Sequence, residues 1–529
     1  MSVTWTEEQK QVIETRNTNL LVSAAAGSGK TAVLVERILS LITDPEHPVD
    51  VDRLLITTFT KAAAGEMKER IGKALNDRLK ENPGNEWLQR QESLVHRAQI
   101  TTIHGFCLYV IRNYFHIIDL NPNFRIADEG EMKLLKQDTA KEILEEAYEK
   151  KDPAFLKFAD SYGSGNRGSG LEDMILGLYE YAVASPQPVR WLTHCADVYE
   201  IPEEGSWKDF AGQEEILKEL KLTAGDCLSE IRKARALCRV PGGPEPYEPV
   251  LLADEMMIQE LADCQDVGVF REKWEQLSYG RLPSRRAKAM AEADEELCDR
   301  IMSIRNEVKD LLKGLGKQYF QISDEEQFRQ LRETKENVAA YAELTLSFLN
   351  RLNEKKRKKN ILDFADQEHL ALQILTREED GCLVPSETAD IFADYFEEIM
   401  VDEYQDSNLV QEAILNSISK SRKGRDNRFM VGDVKQSIYR FRQAEPGLFL
   451  GKYAAYGEEN GGVRIDLHRN FRSRGEVLSP VNEVFCRMMR PELGGILYDE
   501  DAALKEGAAY PEADGNGAEL LLLQKEDWE

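Results

Sequence analysis

The sequence predicts an α/β fold on a parallel sheet, interrupted by a large helical insertion and followed by the start of a second α/β domain. Three observations carry that prediction. Apolar runs alternate with helical patterns up to residue 127, the character turns long, charged and amphipathic over 128–359, and the alternation returns over 360–450. Strand–loop–helix repetition of this kind indicates parallel strands joined by crossover helices.

The elements follow in order. Residues 19–23 and 53–58 read as short buried strands, and 30–41 and 62–79 carry apolar residues at helical spacing. Within 128–359, helices are expected over 131–149 and 291–315, with loops over 161–170 and 241–249. Strands return at 399–401 and 428–431, each followed by acidic residues. From 451 to 529 a further α/β segment opens, in which 518–523 reads as a strand.

Composition narrows the class without choosing it. At 529 residues, 42% apolar and 31% charged, the chain has room for several cores. No apolar run reaches membrane-spanning length. The opening MSVTWTEEQK lacks the basic and apolar regions of a secretory leader. The eight cysteines form no CxxC pair, which favours reduced thiols in a cytoplasm over a zinc or iron–sulfur site. A net charge of −27 argues against binding nucleic acid by bulk electrostatics, so a case for DNA has to rest on motifs and a local channel.

The first motif is SAAAGSGKT, residues 23–31, between a strand and a helix. Backbone N–H groups of such a loop wrap a triphosphate at a helix N-terminus. Ala24, Ala25, Ala26, Gly27, Ser28 and Gly29 form the cradle, Lys30 would meet the β/γ-phosphates and Thr31 would hold Mg²⁺. The strict pattern has Gly where this chain has Ala24. The second motif is Val401-Asp402-Glu403-Tyr404-Gln405-Asp406. A carboxylate pair at a strand end suits metal-assisted hydrolysis, with Asp402 on Mg²⁺ and Glu403 polarising the attacking water.

Further clusters complete the set: Thr6-Glu7-Glu8-Gln9, Thr58-Phe59-Thr60-Lys61-Ala62-Ala63, Thr102-Ile103-His104-Gly105-Phe106, Gly432 through Arg442, and His468-Arg469-Asn470-Phe471-Arg472-Ser473. In this order they resemble the helicase motifs of superfamily 1, the UvrD/RecB group. Trp5, Leu362-Asp363-Phe364 with Asp366, Tyr162-Gly163-Ser164-Gly165 and Arg281-Leu282-Pro283-Ser284 resemble, within that group, the AddA family of helicase–nuclease subunits. The resemblance covers essentially the whole chain.

That resemblance implies a RecA-like P-loop NTPase sheet. Residues 1–127 and 360–450 would be its two parts, 128–359 an insertion of the 1B kind, and 451–529 the beginning of a second RecA-like domain. It implies ATP and Mg²⁺ as cofactors. It implies 3′→5′ translocation on single-stranded DNA, DNA ends as substrate, an AddB-like partner in a heterodimer, and work in repair and recombination in the cytoplasm, away from membranes. Gln9 would read adenine, Phe471 would pack on it, Gln436 would sense the γ-phosphate and Arg472 would contact it. Phe59, Thr60, Thr102, His104, Tyr439, Phe441 and Arg442 would line the strand. His104 reads equally as a packed core ring. Base stacking on aromatics tolerates any sequence, as a motor requires.

Two alternatives stay open: a UvrD-like or RecB-like repair helicase, and an ATP-gated DNA-binding module without turnover. The run 355–359, Lys-Lys-Arg-Lys-Lys, reads as a solvated helix end, with phosphate tracking as the other reading. The family's last arginine motif and nuclease carboxylates are not in this sequence. The expectation is therefore a chain that binds nucleotide but hydrolyses it poorly and does not unwind DNA.

Overall fold

A computed structural model of the chain describes residues 4–163, 170–457, 461–493, 495–511 and 517–522. Six strands lie at its centre: β1 (Leu20–Ala24), β2 (Leu54–Thr58), β3 (Gln99–Thr102), β4 (Glu398–Val401), β5 (Arg428–Gly432) and β6 (Val463–Leu467). They form one sheet in the order β6-β1-β5-β4-β2-β3, and every pairing is parallel. The expected strands therefore pair in one sheet, and the α/β class holds. The stretch from 451, for which the sequence predicts the start of a second α/β domain, contributes β6 to this same sheet, beside β1.

Six helices matter for the site: α1 (Glu7–Glu14), α2 (Lys30–Ile42), α3 (Lys61–Glu81), α4 (Ile103–Tyr114), α5 (Phe364–Leu375) and α6 (Leu409–Ser417). Leu20, Val22 and Ala24 of β1 pack with Val33 and Ile38 of α2 and Met67 and Ile71 of α3. Leu21, Leu55, Ile399 and Met430 face the other way, against Phe106 of α4, Leu372 of α5 and Ile414 of α6. Side chains alternate between two covered faces, which is why these strands read as unbroken apolar runs.

A charged cluster is buried beneath the second face. The Glu412 carboxylate accepts from Arg428 (2.6 and 2.9 Å), Lys452 (2.8 Å) and the Tyr404 hydroxyl (2.9 Å). Burial alone would raise its pKa, but the Arg428 guanidinium and Lys452 bring it down to about 2 from an ordinary 4.5. A pKa depressed by folding means that the stabilisation is complete above 4.5 and is lost as pH falls toward 2. Glu412→Gln strands two buried cations and is expected to destabilise the chain by about 3–5 kcal/mol at neutral pH. An unchanged denaturation midpoint would contradict this.

By compactness the chain divides into residues 1–136, 180–188 and 352–529, which carry the sheet, and residues 137–179 and 189–351. The second unit is helical. Gln213–Leu237, Glu248–Ala262 and Glu295–Tyr319 share a core that includes Leu220, Ile231, Leu251, Ile258, Ile301 and Leu312. The expected loop at 241–249 ends earlier than predicted, because Pro249 sits in the first turn of Glu248–Ala262, where its missing N–H costs nothing. Of the expected loop at 161–170, residues 164–169 lie outside the described residues, and Tyr162 closes the helix Pro153–Tyr162.

Two expectations are corrected. Residues 518–522 form no strand, and Leu520, Leu521 and Leu522 are exposed; residue 523 lies outside the described residues. An apolar run becomes a strand only when a neighbouring ladder takes its backbone groups. The basic run is not uniformly solvated. Lys356 is buried, and its ammonium donates to Asp366 at 2.5 Å and to Asp363 at 3.4 Å. Arg357, Lys358 and Lys359 are exposed. Among the described residues no helix is long and apolar enough to cross a membrane, and the eight cysteines are free.

Candidate nucleotide and nucleic-acid site

The loop between β1 and α2 has the geometry of an anion cradle. Ala24, where the strict motif has Gly, is the last residue of β1, paired with Leu467 and fully buried. An extended strand residue needs no glycine, and its methyl fills core. The demanding positions are Gly27 (φ +71°) and Gly29 (φ +85°), both left-handed.

Three successive carbonyls of the loop are taken by donors from outside it. Ala26 O accepts from Asn470 Nδ2 at 2.7 Å, Gly27 O from the Phe471 N–H at 2.8 Å, and Ser28 O from Gln9 Nε2 at 3.0 Å. A planar trans peptide sets the following N–H opposite its carbonyl, so the N–H groups of Gly27 and Gly29 turn to the other side of the loop. The first N–H groups of α2 have no intrahelical acceptor, and Lys30 and Thr31 sit there. Gln9 is buried and doubly used, since its Oε1 also accepts from the Thr6 N–H at 3.0 Å in the capping box of α1.

The carboxylate pair follows β4. The Asp402 N–H donates to Thr57 O at 2.9 Å, which extends the sheet by one residue. Glu403 then turns left-handed (φ +52°) and places its carboxylate 3.0 and 3.1 Å from the Lys30 ammonium. Burial raises the Asp402 carboxyl to about 6, with the Glu403 charge adding to it and Lys30 opposing. Asp406 is raised to about 6 for the same first two reasons. Asp406 Oδ1 is buried with no hydrogen-bond partner among the described residues. Hard oxygen donors of this kind fit a hydrated Mg²⁺. Among the described residues no three His, Cys, Asp or Glu side chains converge as a metal cage, so a Mg²⁺ here would depend on Thr31, Asp402, water and phosphate oxygens.

Gln436 joins the same network at one remove. Its Nε2 donates to Asp433 Oδ2 at 2.9 Å, the Asp433 N–H donates to Gln405 Oε1 at 3.0 Å, and Gln405 Nε2 donates to Glu403 Oε2 at 2.9 Å. Gly432 lacks a Cβ at the point where the Gln405 amide would collide with one.

The residues expected to meet a strand converge on the other side of the carboxylates. Phe59, Thr60, His104, Tyr439 and Arg442 line one cavity of about 590 Å³ together with Asp402 and Glu403. Phe59 and Tyr439 stack at 4.4 Å, and the Arg442 guanidinium lies 5.4 Å from the Tyr439 ring centroid. Phe441 is 73% exposed and outside the lining, tilted 5.9 Å from Tyr439. Thr102 is also outside it: its hydroxyl caps α4 by accepting from the Gly105 N–H at 3.1 Å. Thr60 caps α3 in the same way, toward Ala63 at 3.0 Å. His104 faces the cavity with Nε2 3.2 Å from Glu368 Oε1.

Four residues given no role from the sequence shape this site: Gln405, Asp433, Glu368 and Asn470. Glu368 is buried, which by itself raises its pKa, but hydrogen bonds from His104, Gln411 and Asn408 hold it below the ordinary value. Phe364, read only as part of a family signature, also lines the cavity, edge-on to His104 at 5.3 Å.

A parallel sheet with a phosphate cradle after β1 and a carboxylate pair after β4 defines the class, a RecA-like P-loop fold. Residues 5–457 match the UvrD/REP helicase N-terminal domain, and the chain belongs to that family. It is 44% identical over 515 residues to the ATP-dependent helicase/nuclease subunit of type A from Lachnoclostridium phytofermentans, covering 96% of this chain and 37% of that one. Similar proteins of the same name occur in Bacillus velezensis (42% over 531 residues) and Geobacillus kaustophilus (44% over 531 residues), each covering 99% of this chain and 42% of the relative. The chain spans about two fifths of the length of these relatives.

Proposed function

We propose that this chain carries the nucleotide-driven motor of an ATP-dependent DNA helicase that moves 3′→5′ on single-stranded DNA. It would act with a second, AddB-like protein on DNA ends during repair and recombination in the cytoplasm. The observation that carries this reading is the shared cavity, in which the stacked Phe59–Tyr439 pair and the Asp402–Glu403 pair line one space.

In this reading Lys30 and the N–H groups of residues 24–31 hold the phosphates, and Thr31 and Asp402 hold Mg²⁺, which would supply charge neutralisation at the phosphates. Glu403 orients and deprotonates water once the nucleotide has drawn Lys30 away from it. Gln436 answers to the γ-phosphate and transmits through Asp433 and Gln405, while Arg472 adds positive charge there. Gln9 gives up its contact with Ser28 to read adenine, and Phe471 packs on the base. On the strand side, Phe59, Tyr439 and Phe441 offer ring faces, and Arg442 and His104 offer charge and hydrogen bonds. Thr60 and Thr102 accept from their helix N–H groups and so keep hydroxyl protons for phosphate oxygens.

Tyr439→Ala removes one face of the stack. It is expected to weaken single-stranded DNA binding by about 1–3 kcal/mol, roughly 5- to 150-fold. Fluorescence anisotropy with a labelled oligonucleotide measures this, and wild-type affinity in the variant would overturn the strand path.

A further inference from the structure

We infer that Asn470 is a positioning residue that ties the phosphate loop to Arg472, so that the guanidinium is presented to the γ-phosphate only while the loop keeps its cradle shape. The inference rests on the reading of Arg472 given above.

One carboxamide serves both sides. Asn470 Nδ2 donates to Ala26 O at 2.7 Å, while its Oδ1 accepts from the N–H groups of Arg472 (2.8 Å) and Ser473 (2.7 Å). The side chain is buried at 3% exposure, and all three contacts use backbone partners, so neither end swings freely. The adjoining Phe471 N–H donates to Gly27 O at 2.8 Å, which fixes a second point of the loop. The fit leaves no spare volume. A Cβ on Gly27 would come 2.7 Å from Asn470 Nδ2 and 2.9 Å from Arg472 Cβ. The loop and the Arg472 backbone are thus in direct apposition, and only a left-handed glycine permits it.

The chemistry requires an amide. A carboxylate at 470 keeps both acceptor contacts to the Arg472 and Ser473 N–H groups, but it cannot donate to Ala26 O and repels that carbonyl. The turn holding Arg472 then stays formed while its tie to the loop is cut. Arg472 itself is exposed, so its reach is set by its backbone position and not by packing around the guanidinium.

The test compares affinities for a fluorescent ADP and a non-hydrolysable fluorescent ATP analogue, with Mg²⁺, in wild type, Arg472→Ala, Asn470→Asp and Asn470→Ala. Arg472→Ala is expected to lower the ATP-analogue:ADP affinity ratio by about tenfold, the loss of a charge-assisted hydrogen bond. Asn470→Asp is expected to lower the same ratio at least about fivefold, with its denaturation midpoint at the wild-type value and ADP affinity within about twofold. An Asn470→Asp ratio equal to wild type, with the Arg472→Ala ratio reduced, overturns the positioning role alone. Equal losses for ADP and the ATP analogue in Asn470→Asp overturn it too, because they mark a distorted loop and not a displaced Arg472. A wild-type ratio in Arg472→Ala removes the reading of Arg472 and the inference with it. If Asn470→Ala unfolds, Asn470→Asp still decides.

Discussion

Glu403→Gln is expected to lower ATP turnover by about 10²- to 10⁴-fold, the range supplied by a general base. The same change is expected to tighten nucleotide binding, by up to about fivefold. The second effect comes from the Lys30–Glu403 pair at 3.0 Å, which a nucleotide must open before Lys30 can reach phosphate. That pair is partly exposed, with side chains at 14% and 33%, so its worth is at most about 1 kcal/mol. Steady-state phosphate release together with binding of a fluorescent ATP analogue separates the two effects. Wild-type turnover in the variant would remove Glu403 from the reaction, and weaker binding would mean that the pair does not compete with phosphate.

Lys30→Ala is expected to weaken binding of Mg·ATP by about 100-fold, because charge-assisted hydrogen bonds to phosphate contribute about 1.5–3 kcal/mol each. Loss of the ammonium also leaves Glu403 beside Asp402 and Asp406, two carboxyls that its charge already helps to raise to about 6. The two variants at one ion pair thus move nucleotide affinity in opposite directions. Competition for Lys30 between Glu403 and phosphate predicts that split, whereas a purely structural role for the pair predicts losses in both. Calorimetric titration with the ATP analogue checks it.

What the sequence made legible was local. The phosphate loop, the carboxylate pair and the Gly432–Arg442 cluster each lie within a dozen residues, with spacing set by one strand end and one turn. Phe59 and Tyr439 were each readable as base-stacking rings, but their meeting at 4.4 Å was not. The missed residues act over distance. Asn470 reaches the carbonyl of a residue 444 positions earlier, and Gln405 accepts from one 28 positions later. Single polar residues of this sort carry no periodicity, so only the parallel register of β6 on β1 and of β5 on β4 brings them into use.

The basic run shows the same limit from the other side. Five consecutive cations read as a solvated end. Asn360 then turns left-handed (φ +54°) and folds the chain back, so that Asp363 and Asp366 at the start of α5 meet Lys356 alone. The pair holds the helix from which Phe364 and Glu368 reach the cavity. The strand expected at 518–523 failed for want of a ladder, which no residue pattern reports.

The central claim is that nucleotide and strand are sensed by one connected site. The direct measurement is the salt dependence of single-stranded DNA affinity, with and without a non-hydrolysable ATP analogue, in wild type and Lys30→Ala. A shift in DNA affinity with nucleotide in the wild type and none in Lys30→Ala is the predicted result. The same shift in both proteins, or no shift in the wild type, would contradict the account.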